Sequence, residues 1–190
     1  MNSFFYCIKL RNYQVYQIIT KIKYYFFSEI NLNFIISIIF WNQSTVNVIG
    51  TMNVIQFACQ MMAENEKDKD GQRGVIINVS SICAYDNNSL HAYSASKGAI
   101  SSMTSPLAFE FAKHGIRFMA IAPGLFSTPM INNLMNSGLE ERLKYLESIV
   151  LSPKRFGNPL EFAALVHHII ENRYLNGEVI RLDGGLRLQQ

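Results

Sequence analysis

VIINVSSICAYDNNSLHAYSASK, Val75 to Lys97, is the stretch that decides the fold. It opens on a short β-branched run, Val75 to Val79, that reads as a buried parallel strand. The run ends at Ser80-Ser81, so a serine stands at a strand's carboxyl end, where open α/β sheets place their ligands. Twelve residues beyond Ser81 comes Tyr93, and four beyond that Lys97. Residues at i and i+4 share one helix face, so an ammonium can sit beside a phenol. A phenol titrates near ~10, and using it in proton transfer at neutral pH means moving that value at about 4 kcal/mol. A neighbouring cation favours the phenolate and supplies the shift. The serine hydroxyl can then hold a substrate oxygen opposite the phenol. Together the three groups read as a proton-transfer site for an alcohol or a ketone. Tyr-x-x-x-Lys alone is a weak signal, met equally by an amphipathic helix with a solvated lysine; the strand and the serine ahead of it give it weight.

A second buried strand, Arg117 to Ala122, ends at Pro123-Gly124. A rigid proline followed by a permissive glycine lets backbone approach a flat ligand closely. Around these two strands a coarse order follows. Residues 46–63 read as a helix, and 64–73 (ENEKDKDGQR) as a solvated connection. Residues 74–79 are a strand, and a long helix runs from about His91 to Lys113, interrupted by Pro106, which removes an amide donor. A strand covers 116–122, and a mobile loop with short helices spans 125–152. Asn158 caps a helix that has Pro159 at its first position, and the last strand lies near Gly177–Leu182.

These motifs resemble the carboxyl-terminal two thirds of a short-chain dehydrogenase/reductase. Within that family the chain is most similar to the type 2 3-hydroxyacyl-CoA dehydrogenases, which also act on 17β-hydroxysteroids. The resemblance rests on GQRGVIIN (Gly71–Asn78), AYSASKG (Ala92–Gly98), IAPGLF with Thr128-Pro129 (Ile121–Pro129) and LNGEVIRLDG (Leu175–Gly184), and it runs from about Val46 to the end. It implies an α/β, Rossmann-like doubly wound parallel sheet, truncated at its amino-terminal side. It also implies residue roles. Tyr93 matches the general acid/base, and Lys97 the residue that lowers its pKa and binds the nicotinamide ribose. Ser81 matches the serine that orients the substrate oxygen. Asn47 matches an asparagine acting through a helix carbonyl and a bound water. Pro123, Gly124, Phe126 and Thr128 match positions at the nicotinamide end of NAD. Bland readings stand beside these: Asn47 as a helix-start residue, Thr128 as a cap, Phe126 as core. The serine-to-tyrosine interval is one residue shorter than in the relative, so Ser80 competes with Ser81. Strand alternation sends the two to opposite faces, and Ser81 keeps its distance from Asn78.

Upstream the pattern departs from the family. Dehydrogenases of this fold hold the cofactor pyrophosphate on a glycine-rich turn at a helix N-terminus, yet the first glycine here is Gly50. The acidic residue expected for ribose recognition and an Asn-Asn-Ala-Gly segment are missing too. Residues 1–45 are rich in Ile, Asn, Tyr and Phe, with Lys9, Arg11, Lys21 and Lys23 against the single acid Glu29. They read as an atypical segment outside the domain, which then occupies 46–190. A targeting presequence, a replaced amino terminus and a wrongly assigned start are the open alternatives. The run FIISIIFW (Phe34–Trp41) is too short to span a bilayer.

Composition adds bounds. At 190 residues with 49% hydrophobic content, one domain with a sizeable core is expected. The net charge of +3 gives no nucleic-acid stripe. Three cysteines without a CxxC pair, Cys7, Cys59 and Cys83, indicate reduced thiols, and the histidines lack metal-ligand spacing. The expected activity is hydride transfer between NAD and a secondary alcohol, a 3-hydroxyacyl-CoA first and a hydroxysteroid second, with the absent glycine turn impairing it. The resemblance further implies a homo-oligomer, dimer or tetramer, in which the two long helices pair with those of a second subunit. It implies a mitochondrial location, with the cytoplasm as the alternative. The competing expectation is a catalytically silent subunit or scaffold in a multi-subunit tRNA-processing complex, meeting nucleic acid only indirectly. A third is that a sheet lacking its first strands presents an uncovered edge, an aggregation hazard.

Overall fold

The computed structural model describes residues 32–86, 90–129, 131 and 138–188, with side chains from residue 36 onward. The chain forms two units, Met1–Ile39 and Phe40–Gln190. The described part of the first is helical and opens helix α1, Leu32–Ser44. A π-helical turn, Thr45–Ile49, leads into α2, Gly50–Ala63. Strand β1 is Gly74–Val79. A 3₁₀ turn, Ile82–Ala84, precedes α3, His91–Phe111, and strand β2, Ile116–Pro123, follows. Then come α4, Glu140–Ser148, α5, Pro159–Glu171, and β3, Val179–Leu182.

The three strands form a parallel sheet in the order β1-β2-β3. Central β2 is buried along nearly its whole length, because helices cover both of its faces. Ile116 and Phe118 pack with Ile55 and Cys59 of α2 and Leu107 and Ala108 of α3. Met119 and Ile121 point the other way, into a cluster with Ile169 of α5. A strand sandwiched like this is apolar at nearly every position, Arg117 excepted, which is why it reads as a continuous run instead of an alternating one. The register Val79↔Ile121 and Ile121↔Ile180 brings the carboxyl ends of all three strands to one edge.

One charged side chain enters this core. Arg117 is buried, and its guanidinium donates to the carbonyls of Ile169, Ile170 and Leu175 at 3.1, 3.0 and 2.7 Å and to the Gln72 amide oxygen at 2.9 Å. It thereby satisfies the carbonyls left open at the end of α5. At the other end of α5, Asn158 and Glu161 form a reciprocal capping box with Pro159 beside them, as the sequence indicated.

The helix expected over 46–63 starts earlier, at Leu32. Nothing in the sequence stops it, since 32–44 carry neither glycine nor proline. The long helix runs through Pro106 without a break. Most of the expected loop at 130–137 lies outside the described residues, as do Cys7 and residues 1–31; neither Cys59 nor Cys83 is in a disulfide. Among the described residues β1 pairs on one side only, and no helix is long and apolar enough to cross a membrane.

Replacing Arg117 with Met strands the α5 carbonyls in a dry core. We expect a loss of about 3 kcal/mol, read as a lower urea midpoint at unchanged slope. A loss below about 0.5 kcal/mol would show that the carbonyls find other donors.

Candidate functional site

The site gathers where β1 ends and α3 begins. Ser81 leaves β1 in extended conformation (φ −162°, ψ 156°), and its Oγ accepts from the Cys83 amide at 3.1 Å. That bond folds the chain into the 3₁₀ turn and fixes the hydroxyl in space. The same hydroxyl lies near enough to the phenol of Tyr93, on the first turn of α3, to pull its titration down. Lys97, one turn on, places Nζ 5.8 Å from the Tyr93 ring centre and donates to the carbonyl of Val79 at 2.8 Å. Ser80 points elsewhere: its buried hydroxyl donates to the Lys97 carbonyl at 2.9 Å and pairs with Ser101 Oγ at 2.7 Å. Of the two adjacent serines, one therefore faces the phenol and the other anchors α3 to β1.

Asn47 sits in the π-helical turn, a form that recurs at functional sites. Its Nδ2 donates to Gln43 Oε1 at 3.0 Å and to Ser96 Oγ at 2.9 Å. Ser96 in turn donates to the Tyr93 carbonyl at 2.7 Å. The Asn47 side chain thus reaches the Tyr93 backbone directly through Ser96. Sequence reasoning missed Ser96 as a site residue. The available signal was a serine three residues after the tyrosine, where a hydroxyl back-bonds to the helix.

Tyr93 is held above its ordinary value of 10 by burial, with the Ser81 hydrogen bond pulling down and nearby Cys83 pushing up. Lys97 is displaced below its ordinary value by burial. The Lys97 ammonium is turned to the Val79 carbonyl, and desolvation of the phenolate is the largest cause of the Tyr93 shift.

Beyond β2, Gly124 is needed for a different contact than expected. A Cβ there would stand 2.9 Å from the Asp183 Cα, so the glycine admits the backbone after β3. The Phe126 ring lies on Gly157, where a Cβ would come within 2.6 Å of it. It also meets Phe162 edge-on at 6.0 Å. This is the packing role weighed as its alternative. Thr128 is half-buried at the edge of the described segment. A cavity of about 210 Å³ opens between Leu125, Phe126, Val150, Pro153 and Gly184.

The donor set fits the ribose and nicotinamide end of a dinucleotide: a phenol, an ammonium and a hydroxyl beside the ends of two parallel strands. Among the described residues no glycine-rich turn opens a helix, and Gly50, the first glycine, lies in a continuous helix. The pyrophosphate therefore has no backbone cradle there. No group of three His, Cys, Asp or Glu among the described residues could hold a metal ion.

Parallel strands with covering helices, and a Ser-Tyr-Lys cluster at their carboxyl ends, define a nucleotide-dependent oxidoreductase class of fold. Residues 37–137 match the sequence model of the short chain dehydrogenase family, and the chain belongs to that family. It is 52% identical over 145 residues to 3-hydroxyacyl-CoA dehydrogenase type-2 of Mus musculus, covering 76% of this chain and 54% of that protein. It thus spans about half the length of the curated relatives it matches. The crystal structure of 3-hydroxyacyl-CoA dehydrogenase type-2 from Mycobacterium avium superposes with a TM-score of 0.73 at 34% identity, over 79% of this chain and 57% of that one. A 3-oxoacyl-[acyl-carrier protein] reductase from Brucella melitensis with bound NAD gives 0.61 at 28% identity, over 77% and 51%.

Because the Ser81 hydroxyl stabilises the phenolate, Ser81→Ala should push the Tyr93 titration further above 10. Ultraviolet phenolate absorbance, taken as the difference from Tyr93→Phe, reads this directly. A Tyr93 titration unmoved by Ser81→Ala would break the pairing.

Proposed function

We propose that the chain carries the proton-transfer half of an oxidoreductase that interconverts a secondary alcohol and a ketone with NAD. The observation that carries this reading is the grouping of Tyr93 and Lys97 on one helix face, with Nζ 5.8 Å from the ring centre, beside a Ser81 hydroxyl that the turn after β1 fixes in place. In this reading Tyr93 gives its proton to the carbonyl oxygen of the ketone and recovers it from the alcohol. A phenol held above 10 is protonated at neutral pH and ready to donate. Ser81 holds the same oxygen from the other side. Asn47, through Ser96, fixes the backbone at Tyr93 and thereby aims the ring. Lys97, Pro123, Gly124 and Thr128 would hold the nicotinamide and its ribose, with Phe126 contributing mainly by packing. When bound, the cofactor supplies the hydride that the protein lacks.

The substrate class is a 3-hydroxyacyl-CoA, with a hydroxysteroid second; similarity to the type-2 enzymes supports this order. The same similarity supports a mitochondrial location. A homo-oligomer built on α2 and α3 is supported by Phe57, Met61 and Phe109, which lie 66, 72 and 88% exposed on those helices. Such surface is unusual unless it meets a partner. In the same reading, residues 46–190 constitute the domain and 1–45 lie outside it.

The test is NADH binding by fluorescence together with turnover of acetoacetyl-CoA by the purified chain. Tyr93→Phe should lower kcat/KM by about 10²- to 10⁴-fold with the oligomer unchanged in light scattering. Full activity in that variant would remove Tyr93 from its role. Oligomers that bind no NADH would instead favour the silent-subunit reading.

A further inference from the structure

The loop that follows Ser81 is held from behind by the end of the chain. The Asp86 side chain, 6% exposed, receives both terminal nitrogens of Arg181, at 2.7 Å and 3.0 Å, and the Leu188 amide at 3.1 Å. Arg181 also donates to Asp183 Oδ2 at 2.7 Å and to the Leu186 carbonyl at 3.0 Å. Its guanidinium lies 5.6 Å from the ring centre of Tyr85. One side chain therefore joins the serine loop, the end of β3 and the tail.

Two glycines make the tail's return possible. Gly184 and Gly185 have φ of 61° and 79°, a region glycine enters without strain. A Cβ on Gly184 would also stand 2.7 Å from a Val150 methyl. Past the turn, Leu186 is fully buried in a cluster with Ile82 and Val150, against which Cys83, Leu125, Ile149 and Leu188 pack. The cluster draws on both loops of the site. Ile82 and Cys83 directly follow Ser81, and Leu125 directly follows Pro123-Gly124.

A buried carboxylate–guanidinium pair is weak evidence for stability, since desolvation offsets the attraction. What a two-pronged pair supplies is geometry. Proton transfer needs that geometry, because reacting groups must hold within about 0.5 Å of their productive arrangement.

We propose that Asp86, Arg181 and Leu186 are positioning residues: they tie the Ser81–Asp86 loop to the loop after β2, and so keep the Ser81 hydroxyl beside the Tyr93 phenol. The proposal rests on the reading of Ser81 and Tyr93 as the working pair, but its test needs no turnover.

Cys83 lies in the tied loop and Cys59 in the α2 core. Each thiol's alkylation by iodoacetamide can be followed by peptide mass spectrometry in the full-length chain, well below each variant's unfolding midpoint. In Asp86→Asn, and separately in Leu186→Ala, Cys83 should react about tenfold faster with Cys59 unchanged, the signature of a local opening. The Tyr93 titration should rise in both variants, as in Ser81→Ala, a shift that mere loss of stability would not produce. Equal Cys83 rates in the wild type and both variants would overturn the proposal. So would a matching rise at Cys59, which reports general loosening, or an unmoved Tyr93. A chain that neither binds NADH nor turns over substrate defeats the functional reading alone; thiol rates and phenol titration still decide the tie.

Discussion

Burial of β2 on both faces is the constraint from which the rest of the described structure follows. A strand with α2 and α3 on one side and α5 on the other cannot shift register without exposing apolar side chains on both sides at once. That lock fixes where its neighbours end. The Ser80 amide donates to the Ile121 carbonyl at 2.8 Å, and the Gly124 amide to the Leu182 carbonyl at 2.9 Å. The chain thus leaves all three strands at one height. Ser81 and the loop after Gly124 stand at the site because β2 is central and dry.

The same physics explains what could be read from the sequence. Buried parallel strands are β-branched and uninterrupted, so β1 and β2 were legible almost to the residue. Asn158-Pro159 with Glu161 announces a helix start through local chemistry. Alternation along the strand said that only one of Ser80 and Ser81 could face the site, and the distance from Asn78 pointed to Ser81. The family resemblance and the Tyr93–Lys97 spacing were equally visible. What was hidden depends on tertiary contacts. Leu32–Ser44 offers no cap or periodic face to mark a beginning. Ser96 looked like one small residue among several. The Asp86–Arg181 pair is separated by 95 residues, and only the return at Gly184-Gly185 brings the tail within reach.

The direction of the phenol's titration was also beyond the sequence. A spacing of four establishes that an ammonium shares a helix face with a phenol, but not where the ammonium turns. Lys97 has an acceptor at hand in the Val79 carbonyl, freed at the end of β1, and takes it. The phenol is left with a neutral hydroxyl as its partner, and burial wins. A phenol in this state is protonated at neutral pH, so in the proposed reaction it starts as the proton donor.

In the proposed reading, proton transfer and cofactor affinity draw on different parts of the fold. The Ser81–Tyr93 contact, the Asn47–Ser96 link and the Asp86–Arg181 tie are all internal to the described residues. None relies on a glycine-rich phosphate turn. Such a turn contributes binding through backbone amides and the helix dipole, whereas proton transfer depends on preorganised short contacts near the reacting oxygen. A fold can hold the second in working order without the first.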